Sequence, residues 1–115
     1  MTAASVSRVD REEYVERVLA VVERIPPGRV MSYGAIAEVV GVGGPRQVGR
    51  VMSLEGDGLP WWRVVRADGG LPPCHDGEAL TRHRTEGTPL RSSGRVDMAA
   101  AAWWPESPEG SVGPF

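Results

Sequence analysis

Apolar positions after Asp10 recur at helical spacing, with Tyr14, Val18, Val21, Val22 and Ile25 on one face. Asp10 suits an N-cap, and Glu12 and Glu13 suit the positive end of a first turn. Pro26-Pro27-Gly28 stops the pattern, which predicts an amphipathic helix over about 10–24. Residues 1–9 carry no such face and read as a flexible leader. After the extended Arg29-Val30-Met31, Ser32 is the expected N-cap of a short helix with Ile36, Val39 and Val40 inward. Gly41-Val42-Gly43-Gly44 ends that helix. Pro45 fits the first turn of a third, where its missing N–H costs nothing. This helix turns Val48, Val51 and Met52 inward and projects Arg46 and Arg50 elsewhere.

Two short helices joined by a glycine turn, the second bearing arginines, form a helix-turn-helix pattern. Beyond the Glu55-Gly56-Asp57-Gly58 loop, Pro60 to Val65 is dense in aromatic and β-branched residues. Asp68-Gly69 reads as a hairpin turn, so 63–71 is expected to form a small wing. Glu78 to Glu86 is expected to be helical and to end at Gly87. Val96 to Trp104 fits a strand or a helix equally. The fold class expected is mainly α: a winged helix-turn-helix-like three-helix domain with a small β-hairpin wing. It spans residues 10–105 and is followed by a disordered tail over 106–115, rich in proline and glycine.

Composition narrows the classes. At 115 residues and 41% hydrophobic, the chain fits one compact domain with one modest core. No apolar run reaches the roughly 18–20 residues of a membrane helix, and no apolar h-region follows Met1. One cysteine, Cys74, excludes an intrachain disulfide and points to a reducing, cytoplasmic setting. The net charge of −2 argues against an indiscriminate nucleic-acid binder, but the charges are segregated. Residues 10–23 hold five acids against two arginines, whereas 46–66 hold Arg46, Arg50, Arg63 and Arg66 against Glu55 and Asp57. A basic face opposite an acidic one is what a phosphate backbone would meet.

Three blocks carry a resemblance. Val30-Met31-Ser32-Tyr33-Gly34-Ala35-Ile36-Ala37, Pro45-Arg46-Gln47-Val48-Gly49-Arg50-Val51-Met52 and Pro60-Trp61-Trp62-Arg63-Val64-Val65 resemble, in order, the DNA-binding domain of O6-alkylguanine-DNA alkyltransferases. Glu86-Gly87 continues the match. In that family a Pro-Cys-His-Arg-Val motif holds a cysteine that accepts the alkyl group and a histidine, oriented by a glutamate, that helps form the thiolate. Here those positions are Trp61 and Trp62, and the orienting carboxylate alone remains, as Glu86. The resemblance is therefore to the alkyltransferase-like branch, with tryptophan in place of the reactive cysteine. It implies a non-enzymatic protein that binds O6-alkylguanine and presents it to nucleotide-excision repair. Pro73-Cys74-His75 repeats part of the motif, but Asp76-Gly77 follows. By resemblance it lies in the loop that closes over the base.

The resemblance also implies roles. Arg46 matches an arginine finger that fills the gap left by an extruded base, and Tyr33 a tyrosine beside the target phosphate that also walls the pocket. Ser32, Pro45, Gly49 and Arg50 complete the expected DNA-binding set, on a helix entering the minor groove. Gly49 permits close backbone approach. The base pocket is expected to use Tyr33, Trp61, Val64, Cys74 and His75, while Trp62 fits a pocket role and a packing role equally. Arg63 is expected to brace the loop. The family's asparagine between recognition helix and reactive motif has no match in Ser53 to Leu59.

Cys74, His75, Asp76 and His83 lack the second spaced pair of a zinc site, so neither metal nor cofactor is expected. The expected partners are double-stranded DNA containing O6-alkylguanine and nucleotide-excision-repair proteins. The expected state is a cytoplasmic monomer, nucleoid-associated in a bacterium, without membrane attachment. Two rivals use the same residues: a winged-helix transcription regulator, and a residual alkyltransferase working through Cys74.

Overall fold

The computed structural model describes residues 3–72 and 77–105, with side chains from Arg11 onward. Helix α1 spans Ala3–Arg24, β1 Met31–Ser32, α2 Tyr33–Val40 and α3 Pro45–Glu55. A 3-10 turn at Trp61–Arg63 leads into β2 (Val64–Val65), followed by α4 (Glu78–Glu86) and α5 (Met98–Ala101). Helix α1 starts at Ala3 rather than Asp10, which lies inside it, so 3–9 of the expected leader are helical. The physical reason is the absence of any glycine or proline before Pro26 to stop the helix extending backwards. The expected tail over 106–115 lies outside the described residues, as do Cys74 and His75.

Helices α1, α2 and α3 pack around Val18, Val22, Ile25, Ile36 and Val48, all essentially without exposed surface. The caps form as the sequence requires. Ser32 Oγ accepts from the Ala35 N–H at 3.0 Å, and Pro45 occupies the first turn of α3. Gln47 reaches back so that its Oε1 accepts from the Gly44 N–H at 2.9 Å.

The wing differs from the hairpin expected. Strand β2 pairs in parallel with β1, Met31 opposite Val64 and Ser32 opposite Val65. The Asp68-Gly69 turn does form: Arg66 N–H donates to Gly70 O and Gly69 N–H to Arg66 O, each at 2.9 Å. Its outgoing arm leaves for a different neighbour, because Gly69 O accepts from the Val96 N–H at 2.9 Å. A side chain at Gly69 would collide with the Val96 carbonyl, and its φ of +86° disfavours one in any case. The described antiparallel bridge is instead Leu90 with Val96.

The short parallel pair separates two cores. Successive strand residues face opposite ways, so Met31 and Val64 join the helical core while Val30 and Val65 join a smaller one with Val96 and Ala101. The ambiguity over 96–104 resolves into both structures: a bridge residue at Val96, helix α5, then Ala102 bridged to Val30. Val30 donates to Ala101 O at 3.1 Å and accepts from the Trp103 N–H at 2.8 Å. Among the described residues no helix is long and apolar enough to cross a membrane.

Candidate nucleic-acid interface

Helix α3 buries Val48 and Val51 and leaves Pro45, Arg46 and Arg50 exposed. The spacing of Arg46 and Arg50 sets them on one face. Neither has an ion-pair partner among the described residues. Between them lies Gly49, packed so that an added Cβ would stand 3.9 Å from the Tyr33 ring, an ordinary contact. Nothing among the described residues therefore requires glycine there, although mid-helix glycine is about 1 kcal/mol worse than alanine. Ser32 is a helix cap, as its sequence position predicted, and is half-buried.

The tryptophan turn is built from the backbone outward. Trp61 N–H donates to Leu59 O at 2.7 Å and Arg63 N–H to Pro60 O at 3.0 Å. The Trp61 and Trp62 rings meet edge to face, with centroids 5.6 Å apart. The register of β1 with β2 sets Tyr33 and this turn at opposite ends of a ladder two residues long. Trp61 and Tyr33 are each half-buried and able to present an apolar surface. Val64 is not: it lies wholly in the core and offers no surface to a base. Strand alternation turns it inward, which removes it from the expected pocket lining.

Glu86 organises what lies behind the turn. Its carboxylate accepts from Arg63 Nε at 3.1 Å and Nη2 at 2.5 Å, from the Gly28 N–H at 2.9 Å and from Trp62 Nε1 at 2.9 Å. Arg63 also donates to Ile25 O at 2.8 Å, so it braces the turn against the end of α1 as expected. Burial acts to raise the Glu86 pKa, but the hydrogen bonds from Arg63, Gly28 and Trp62 outweigh it and leave the carboxyl below its ordinary value. Arg82 on α4 stacks over the Trp62 ring, 4.5 Å from its centroid, and donates to Glu78 at 3.0 Å. Between packing and pocket roles, Trp62 thus takes the first, clamped by Glu86 on one side and Arg82 on another.

The family described as "6-O-methylguanine DNA methyltransferase, DNA binding domain" matches residues 13–87. The chain is 35% identical over 104 residues to the DNA base-flipping protein of Escherichia coli (strain K12), covering 84% of this chain and 79% of that protein. It is 31% identical over 101 residues to the DNA base-flipping protein of Vibrio parahaemolyticus, covering 82% and 99%. The chain belongs to the methyltransferase DNA-binding domain family, as an alkyltransferase-like member. The crystal structure of S. pombe Atl1 in complex with damaged DNA containing O6-carboxymethylguanine superposes with a TM-score of 0.70 at 28% identity. That likeness covers 82% of this chain and 97% of Atl1. A second crystal structure, of S. pombe ATL in complex with DNA, matches equally well.

Within this alkyltransferase-like frame, the sequence pointed to Arg63 and Glu86 but missed their support. Gly28 was read only as a helix stop, yet its N–H holds Glu86. His83 was weighed only as a metal ligand. It is wholly buried, with both ring nitrogens engaged, and among the described residues no group of His, Cys, Asp and Glu is placed to hold a metal ion. The signal for its structural role was present. Ala79 and His83, four residues apart, share the inner face of α4.

Proposed function

We propose that this alkyltransferase-like chain is a non-enzymatic sensor of O6-alkylguanine in duplex DNA. The relatives' names and the S. pombe complexes support binding to damaged DNA. The single observation that carries the reading in this molecule is the face of α3. Exposed Arg46 and Arg50 flank a glycine, and among the described residues the arginines have no ion pair and no packing demands the glycine. Such a face fits a close-approaching phosphate backbone, read through the minor groove.

In this reading Arg46 enters the duplex and replaces the extruded guanine, offsetting an unstacking cost of a few kcal/mol. Trp61 and Tyr33 supply apolar walls for the alkylated base, and the loop bearing Cys74 and His75 closes over it. Alkyl transfer is absent because an indole offers neither a nucleophile like a thiolate nor a base near neutral pH. The monomeric protein acts in the cytoplasm and hands the marked site to nucleotide-excision repair.

The test is a titration of matched duplexes carrying guanine or O6-methylguanine at one position, at stated salt, followed by intact-protein mass. Tighter binding to the lesion with unchanged mass supports the sensor. Equal affinity for both duplexes removes the lesion reading in favour of a sequence-reading regulator. A mass gain of one methyl group restores transfer chemistry and directs attention to Cys74.

A further inference from the structure

The tryptophan turn is held from behind by a polar pair that the Glu86 network does not include. His83 lies on the inner face of α4 without exposed surface, its Nε2 2.7 Å from the Trp62 carbonyl oxygen. Its Nδ1 lies 2.8 Å from Thr88 Oγ1, and Thr88 is also buried. A carbonyl can only accept, so Nε2 carries the proton and Nδ1 accepts from the Thr88 hydroxyl. The chain Thr88 O–H to His83 to Trp62 C=O therefore runs in one direction, with one tautomer.

Two constraints then meet on one residue. The Trp62 side chain is fixed by Glu86 and Arg82, and its main chain by His83. His83 thus holds the peptide joining Trp62 to Arg63, and the peptide joining Trp61 to Trp62 is held in turn through its own carbonyl, which accepts from the Val64 N–H, so the Trp61 indole is not free to be re-aimed. The edge-to-face contact at 5.6 Å sets that indole against a rigid neighbour. His83 does more than fill space: an apolar side chain there would leave the Trp62 carbonyl and the Thr88 hydroxyl without these partners.

We infer that His83, oriented by Thr88, is a positioning residue for lesion recognition, holding the Trp62 carbonyl so that Trp61 presents one fixed wall to the alkylated base. The inference rests on the sensor reading above and assigns its selectivity to a residue that touches no DNA. A site held rigid by such a second layer discriminates between similar bases better than one free to adapt. His83 therefore governs the ratio of lesion to guanine affinity more than affinity for undamaged duplex.

The experiment uses the full chain and the same two duplexes, well below each variant's melting temperature. His83→Leu removes the donor to the carbonyl, whereas His83→Gln keeps an amide N–H near the Nε2 position. Thr88→Val removes only the hydroxyl that donates to Nδ1 and orients the ring. Expected is a fall of about tenfold in the lesion-to-guanine affinity ratio for His83→Leu, the scale of one lost buried hydrogen bond, with the ratio largely restored in His83→Gln and intermediate in Thr88→Val. Binding to the guanine duplex stays within about threefold throughout, well inside the scale of that lost bond. A lower melting temperature with an unchanged ratio in Thr88→Val and His83→Leu overturns the inference and leaves His83 a packing residue. A wild-type chain that does not discriminate overturns the sensor reading, and this inference with it.

Discussion

Trp62 donates its indole N–H to Glu86 Oε2 across 2.9 Å. Indole has no second nitrogen to accept a proton, so the relay ends there. The carboxylate anchors the turn, through Trp62, Arg63 and Gly28. Its ion pair with Arg63 is largely sheltered, with side-chain exposures of 12% and 13%. Glu86→Gln is expected to destabilise by about 2 kcal/mol, and Glu86→Ala by about 3–5, because the latter strands a sheltered guanidinium. Denaturant melts of the two variants measure this; losses within 0.5 kcal/mol, the ordinary size for surface changes, would refute the anchoring role.

Gly49→Ala is expected to move stability and binding in opposite directions. The new methyl meets the Tyr33 ring at 3.9 Å without strain, and the helix gains about 0.5–1 kcal/mol. In the proposed interface the same methyl stands where the duplex backbone approaches, so DNA affinity is expected to fall about tenfold or more, the scale of one lost close contact. Thermal melts and a duplex titration on the same preparation decide it. A more stable variant with unchanged affinity takes Gly49 out of the interface.

Arg46 and Arg50 are predicted to differ in what they read. Arg50→Ala weakens both duplexes alike and lowers the slope of log affinity against log salt by about 1, the signature of a phosphate contact. Arg46→Ala lowers affinity for the lesion duplex most, because in the proposed sensor it removes the side chain that fills the vacated stack. Titrations at several salt concentrations separate the two. Identical salt slopes and identical losses would assign both arginines to phosphates.

The pH profile should show two phases. Burial lowers the His83 pKa from its ordinary 6.5; the Trp62 carbonyl and Glu86 oppose this, and Arg63 adds to it. The unfolded chain then binds a proton that the folded chain resists, so stability is full above 6.5 and lost as pH falls toward the lowered value. Glu86, also lowered, adds a second loss below 4.5. Melting temperatures recorded from neutral pH downward should decline from near 6.5 in the wild type, but only from near 4.5 in His83→Leu. An identical upper phase in that variant would assign it elsewhere.

Tyr14 offers a stabilising change. Its hydroxyl is buried without a hydrogen-bond partner among the described residues, and burial raises its pKa. Tyr14→Phe removes the unmet polar atom and is expected to raise stability by about 1 kcal/mol. A loss of that size in a denaturant melt would mean the hydroxyl is paired in solution.

Helices α2 and α3 and their caps were legible because each rests on local rules: a serine before a helix, a proline in its first turn, apolar residues at helical spacing. Arg63 and Glu86 were legible through resemblance. The hairpin failed because the aromatic and β-branched run states that a strand forms but not with whom. Val64–Val65 pairs with a segment some thirty residues upstream, and that choice is made by two cores needing opposite faces. Val64 was misassigned to the pocket for the same reason. His83 was missed because its partners, a main-chain carbonyl and a threonine, leave no motif in the sequence.

The hold that Ala101 and Trp103 take on Val30 has a consequence in time. Helices α1 to α3 can associate as soon as Glu55 has been synthesised and released. The ladder between them and the tryptophans is not sealed until residues about fifty positions beyond Glu55 emerge, roughly 2–10 s later at typical rates of synthesis. A nascent chain thus carries its finished arginine-bearing helix well before the turn behind it is locked. Premature termination between α4 and Ala101 would release a chain with its arginine-bearing helix complete but without the closing contacts on Val30.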